Sequence, residues 1–156
     1  MTNIKIKQTD EKTAALAIAK SLPDFFNEGG LASLEKDLVE HKLYGAFAAE
    51  ELVGFIALRP VDTASLEISW LAVRPDQRRR GIGLELVKRS LGDFAAQGYR
   101  VAYVKTLAET IPDPGYDGTR AFYKKLGFCT LEIINPYPGW AKDNPCQILA
   151  AALPLK

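Results

Sequence analysis

Leu71-Ala72-Val73-Arg74-Pro75-Asp76-Gln77-Arg78-Arg79-Arg80-Gly81-Ile82-Gly83-Leu84 joins a strand-forming segment to an amphipathic helix through a turn that carries a run of arginines and two glycines. Upstream, Ser65 to Val73 is rich in β-formers, and Arg74-Pro75-Asp76 breaks it. Downstream, Leu84, Val87, Leu91 and Phe94 recur at helical spacing between Ile82 and Gln97, with Glu85, Lys88, Arg89 and Asp93 turned away from them. Gly98 supplies the left-handed residue that closes such a helix. The first turn of a helix has backbone N–H groups without partners and the positive end of the peptide dipole. Glycines there let an anion approach the backbone closely, and Arg78, Arg79 and Arg80 add charge and paired donors. The junction reads as a cradle for a pyrophosphate.

Working outward, Ile4 to Lys7 forms a short first strand, and Asp10 caps a helix that runs to about Leu22 before Pro23 stops it. Phe25-Phe26-Asn27-Glu28-Gly29-Gly30 reads as a turn. A second helix from about Leu31 to Glu40 sets Leu31, Leu34 and Leu38 on one face. Leu43–Ala49 and Leu52–Leu58 form a hairpin with Glu50-Glu51 at its tip. After the central helix come a strand over Tyr99–Thr106 and a long loop over Ala108–Gly118. A short helix follows over Thr119–Leu126, then strands over Phe128–Ile134 and Gln147–Leu153. Hairpin strands followed by β-α-β units imply an α/β chain of the mixed α+β kind. We expect one domain over residues 1–156, with a mostly antiparallel sheet of about seven strands and helices on both faces.

The bulk numbers agree with a folded enzyme-sized domain and exclude several classes. The chain has 156 residues, 47% of them apolar and 25% charged, so it can bury a core without staples. Its formal net charge of +1 gives no basic excess for nucleic acid, and no apolar run is long enough for a membrane helix. The N-terminal residues lack the apolar stretch of a signal peptide, which gives a cytoplasmic expectation. Cys129 and Cys146 have no metal or redox spacing and are expected as buried, reduced thiols in core strands.

Gly81-x-Gly83 lacks the third glycine of the dinucleotide fingerprint, since Leu86 stands in its place, and no Walker lysine follows. Arg78-x-x-Gly81-x-Gly83 after Leu71-Ala72-Val73-Arg74-Pro75 resembles the central signature of the GCN5-related N-acetyltransferases (GNAT). Thr119-Arg120-Ala121-Phe122-Tyr123-Lys124-Lys125-Leu126-Gly127-Phe128 resembles the second signature of that family, one helix and one strand later. The resemblance covers roughly Leu43 to the C-terminus and implies acetyl-CoA as cosubstrate with no metal. It assigns backbone hydrogen bonds to the pantetheine arm at Leu71 and Val73, and the pyrophosphate to Arg79, Arg80, Gly81, Ile82, Gly83 and Leu84 beside Arg78. It implies a GNAT-like fold and an amine acceptor, small molecule or peptide, and leaves homodimerisation open. One position departs from the pattern: Tyr116 stands where many members carry an asparagine against the cofactor, so Thr119 and Arg120 are the substitutes at that helix start.

An amine attacking a thioester must lose a proton, the oxyanion must be stabilised, and the thiolate must gain a proton. Glu67 is the candidate base. Alternation along Leu66-Glu67-Ile68-Ser69-Trp70-Leu71 puts it on the face of Ser69, Leu71 and Val73, opposite Leu66, Ile68 and Trp70. Burial there would raise its pKa toward a useful range. Tyr123 is the candidate acid, because a phenol keeps its proton at neutral pH and the family places its acid tyrosine there. A backbone N–H near Leu71 or Ala72 would meet the oxyanion. His41, the only histidine, sits in a last helical turn where a cation suits the dipole. The acceptor pocket is expected around Phe25, Phe26, Tyr116, Tyr137 and Trp140, with Asp24, Glu28, Asp113 and Asp117, a set that suits a small cationic amine. Two rivals remain at this stage: a nucleotide- or phosphosugar-dependent transferase using the same loop, and a CoA-binding sensor without turnover.

Overall fold

The structure is a computed structural model in which residues 3–156 are described. The elements run β1 (Ile4–Gln8), α1 (Lys12–Lys20), α2 (Glu28–Glu40), β2 (Lys42–Ala48), β3 (Glu51–Pro60) and β4 (Ser65–Val73). After a 3-10 turn over Pro75–Gln77 come α3 (Ile82–Ala96), β5 (Val101–Leu107), α4 (Pro114–Lys125), β6 (Cys129–Ile134) and β7 (Cys146–Ala152). The seven strands make one sheet in the order β1-β2-β3-β4-β5-β7-β6. Every neighbouring pair is antiparallel except β4 and β5. That single parallel pair follows from the helix between them, since α3 carries the chain back to the end of the sheet at which β4 began.

Two cores sandwich the sheet. On one face α3 and α4 pack Leu86, Val87, Leu91, Phe94 and Tyr123 onto Ile56, Leu58, Leu66, Ile68 and Val104. On the other, α1 and α2 pack Ile18, Leu34 and Leu38 onto Leu43, Phe47, Phe55, Ala57 and Ala72. The sequence expectation of a mixed, mostly antiparallel sheet covered on both faces is met in full. Among the described residues no helix is long and apolar enough to cross a membrane.

Two helices begin earlier than expected. Asn27 caps α2, its side chain accepting from the Gly30 amide at 2.8 Å, so Gly29 and Gly30 lie in the first helical turn rather than in a loop. Asp113 caps α4 in the same way, accepting from Tyr116 N at 3.1 Å, with Pro114 at the first position, where its missing N–H costs nothing. The glycines and proline that read as loop are thus inside the caps. Helix α1 starts after Glu11, with no side-chain cap from Asp10. Of the two cysteines expected in the core, Cys146 is buried but Cys129 is exposed, because β6 is an edge strand.

The most consequential correction concerns β4. Ala57 pairs with Trp70 and Leu58 with Ile68, which leaves Ser69 as an extra residue in a β-bulge. The bulge resets the alternation. Leu66 and Ile68 face α3, as do Leu71 and Val73, while Trp70 and Ala72 join the core under α1 and α2. The expectation that Glu67 shares a face with Leu71 and Val73, opposite Trp70, is therefore overturned, because strict period-two counting does not survive an inserted residue.

Candidate active site

Strands β4 and β5 part company halfway along. Their ladder runs from Ser65↔Val101 to Ile68↔Val104 and stops. Beyond it β4 continues to Val73 paired only with β3, and β5 continues to Leu107 paired only with β7. A wedge opens between Ser69–Val73 and Lys105–Leu107, and the inner backbone edges of both strands face it. The Ser69 bulge lies at the apex. Its hydroxyl donates to the Ala57 carbonyl at 3.0 Å and bonds His41 Nδ1 at 2.8 Å. His41 is the C-cap of α2, one step past the last turn in which the sequence placed it, and its imidazole pins the bulge to that helix.

The mouth of the wedge is set by the junction that opened the sequence reading. Gly81 is the N-cap of α3 at φ +72°, a left-handed conformation in which a glycine is favoured, and no side chain caps this helix start. Arg79 is also left-handed, at φ +64°. A Cβ at Gly81 would meet nothing within 4 Å, and one at Gly83 would reach only the Phe122 ring at 3.7 Å. The first-turn amides of α3 thus face open space beside Arg78, Arg79 and Arg80, which are all exposed. This donor set fits a pyrophosphate. Phe25 reaches across from the α1–α2 connection, with the Arg78 guanidinium 5.8 Å from its ring centre and the start of α4 beneath it at Gly115. Phe26 turns inward and stacks on Trp70 at 5.5 Å.

The two residues expected to do the chemistry sit on opposite faces. Tyr123 is 2% exposed, edge-on to Phe122 and Phe128 at 5.1 and 5.2 Å. Burial alone pushes its phenol well above the ordinary range, so it is fully protonated at neutral pH. Glu67 is also buried, on the α1–α2 side, but not among apolar groups. Arg59 donates to its Oε1 through Nε at 3.0 Å, and Lys105 Nζ lies 3.2 Å from its Oε2. Arg59 Nη2 also donates to the Tyr103 hydroxyl at 2.9 Å. Lys105 bonds the Tyr137 hydroxyl; burial works against its charge, but Tyr137 and Glu67 outweigh that and raise its pKa. Tyr137 in turn packs edge-on to Trp140 at 5.3 Å.

Sequence reasoning missed Arg59, Tyr103 and Lys105. Part of a signal was available, since Tyr103 and Lys105 alternate with Ala102 and Val104; the pairing of Arg59 with Glu67 across β3 and β4 was not. Of the residues assigned to the α4 start, Thr119 spends its hydroxyl on the Gly115 carbonyl at 3.1 Å. Arg120 is buried and donates to the Leu107 carbonyl and to Asp117. It ties α4 to the end of β5. Tyr116 is half-buried, and burial together with Asp113 pushes its phenol up. Among the described residues no group of three or more His, Cys, Asp or Glu side chains is placed to hold a metal ion.

Comparison with known proteins bears on this geometry. The profile of the acetyltransferase (GNAT) domain matches residues 40–130. A GNAT-family protein from Desulfovibrio desulfuricans superposes with a TM-score of 0.83 at 16% identity, over 96% of this chain and 99% of its own. An aminoglycoside 6'-N-acetyltransferase complexed with coenzyme A gives 0.74 at 22% identity, over 95% and 96% of the two chains. A GNAT family acetyltransferase from Elizabethkingia anophelis with acetyl-CoA bound gives 0.73 at 22%, over 97% and 99%. At these identities the likeness is one of fold. A search of curated protein sequences returns no match.

Proposed function

Since this chain belongs to the GNAT acetyltransferase domain family, we propose that it moves an acetyl group from acetyl-CoA to a primary amine by direct attack of the amine on the thioester. The observation that carries the proposal is the wedge between β4 and β5 with the uncapped start of α3 at its mouth. The wedge offers a strand edge to the amides of a pantetheine arm, and the α3 start offers amide donors and arginines to a pyrophosphate. Similar proteins were solved with coenzyme A or acetyl-CoA bound, which supports the same ligand here.

In this reading Leu71, Ala72 and Val73 supply backbone bonds to the arm, and an N–H near Leu71 or Ala72 meets the thioester oxygen as it gains charge. Arg78 to Leu84 hold the pyrophosphate. Arg120 ties α4 to the end of β5, while the Thr119 hydroxyl closes on its own helix at the Gly115 carbonyl. Glu67 takes the proton of the incoming ammonium, the amine nitrogen bonds the acetyl carbon, and the carbon–sulfur bond breaks. Tyr123 gives its proton to the departing thiolate and regains one from the second proton that the acylated nitrogen sheds. Because burial disfavours a phenolate, the proton is replaced as it leaves and no long-lived anion forms.

The test is thiol release from acetyl-CoA with a panel of amines. Amine-dependent release above the rate of simple hydrolysis is expected. Stabilisation by CoA with no release for any amine would favour a binding protein. Stabilisation by adenine nucleotides but not by CoA would move the loop to another transferase chemistry.

A further inference from the structure

On the acceptor side of the wedge two cations share one buried carboxylate. Arg59, Glu67 and Tyr103 lie side by side on adjacent strands, and Lys105 is the first residue of β5 past the last β4 pairing. Both oxygens of one carboxylate are taken by two cations: Arg59 on Oε1 and Lys105 on Oε2. The Glu67 side chain keeps 9% of its surface, while Arg59 and Lys105 keep 40% and 25%. One arginine already suffices to pair one buried carboxylate, so holding a second cation there for stability alone is uneconomical. Asp37 on α2 adds a further negative charge near Arg59 while its Oδ2 accepts from the Trp70 indole at 2.8 Å, so Lys105 is the cation whose only carboxylate partner among the described residues is Glu67. Two of the acids expected to greet a cationic amine are used in other ways, and two stand exposed. Asp113 caps α4, Asp117 pairs with Arg120, Glu28 sits in the first turn of α2, and Asp24 is exposed in the α1–α2 connection.

We propose that the acceptor amine carries a carboxylate of its own, as amino acids do, and that Lys105 and Arg59 bind it. This rests on the acetyl-transfer reading and deepens it. An incoming carboxylate competes with Glu67 for the same N–H donors. Binding of the acceptor thus loosens the grip on Glu67, and its freed oxygen takes the proton of the adjacent ammonium. The cluster selects the substrate and uncovers the base in one event. Tyr137, whose ring lies against Lys105, and Trp140, packed on Tyr137, form the apolar wall for the rest of the acceptor.

The test uses the unaltered protein saturated with acetyl-CoA, assayed for thiol release with α-, β- and γ-amino acids and with the matching carboxamides. Amidation lowers the pKa of an α-amine, so without a carboxylate site the α-carboxamide presents more neutral amine and reacts faster. The expected result is a kcat/KM at least tenfold higher for the acids of at least one series. Lys105→Met should then raise KM for those acids roughly tenfold to hundredfold, the loss of one charge-assisted hydrogen bond, with the KM for acetyl-CoA unchanged. Lys105→Arg should restore part of the preference. Carboxamides that match or exceed the acids in every series would overturn the inference and leave acetyl transfer standing. No thiol release with either set would overturn both.

Discussion

Gly83→Glu separates the cofactor cradle from the fold that carries it. A Cβ at Gly83 makes only an ordinary contact with the Phe122 ring at 3.7 Å, and the residue lies within the first turn of α3. Replacing a helical glycine gains about 0.5–1 kcal/mol, and a carboxylate near a helix start adds about 0.3–1 kcal/mol. The variant should therefore melt at or above the parent temperature. Acetyl-CoA at a hundred times its Kd stabilises a native protein by about 2.7 kcal/mol, which for a chain of this size is a rise of roughly 5–10 °C. In Gly83→Glu that rise should vanish, because the new carboxylate stands where the pyrophosphate would lie. Gly81 makes a poorer probe, since its φ of +72° would strain any side chain by about 1–2 kcal/mol before a ligand enters. Paired melts with and without acetyl-CoA decide the matter. A variant that melts normally and keeps the full ligand shift would place the pyrophosphate elsewhere.

Tyr123→Phe keeps the ring contacts with Phe122 and Phe128 and should lower turnover by roughly 10²–10⁴-fold with little change in acetyl-CoA affinity; a loss confined to affinity would make the hydroxyl a binding contact. Glu67→Gln should slow turnover most below the pKa of the acceptor amine and least at high pH, where the amine is already neutral. A pH–rate profile lowered evenly throughout would instead assign Glu67 to positioning Arg59 and Lys105. Arg120→Met removes the buried donor to the Leu107 carbonyl and should cost about 1–3 kcal/mol of stability while leaving the Kd for acetyl-CoA within a few-fold. A large fall in affinity at unchanged melting temperature would return Arg120 to the cofactor.

The parts of the molecule that were legible in the sequence are those with local causes. The α3 period, the Gly98 stop and the hairpin of β2 and β3 each arise from a few neighbouring residues, and the family signatures sit on that frame. The starts of α2 and α4 were misplaced because Asn27 and Asp113 were not read as caps, and a cap overrides the loop character of Gly29, Gly30 and Pro114. The surroundings of Glu67 were hidden for a different reason. Its partners come from β3 and β5, and strand pairing over that range is a tertiary fact. An apolar strand sequence predicts an apolar setting for its lone carboxylate, and only the register brings Arg59 and Lys105 to it. The face of Leu71 and Val73 was lost to a single residue, Ser69.

That residue has an arithmetic of its own. Striking Ser69 from the chain leaves Leu66-Glu67-Ile68-Trp70-Leu71-Ala72-Val73, a strand that alternates without a break and returns every side chain to the face it already occupies. The partners Ala57–Trp70 and Leu58–Ile68 would then be consecutive rungs of an unbroken ladder. Neither core has any use for the insertion. A shortened chain should fold, with its sheet more regular than before and with Trp70 to Val73 still opposite Ala57 to Gly54. The extra residue adds no length to β4; it bends the strand at the point where β5 leaves it, and without it the straightened edge would lie nearer β5 and leave a ligand less room between them.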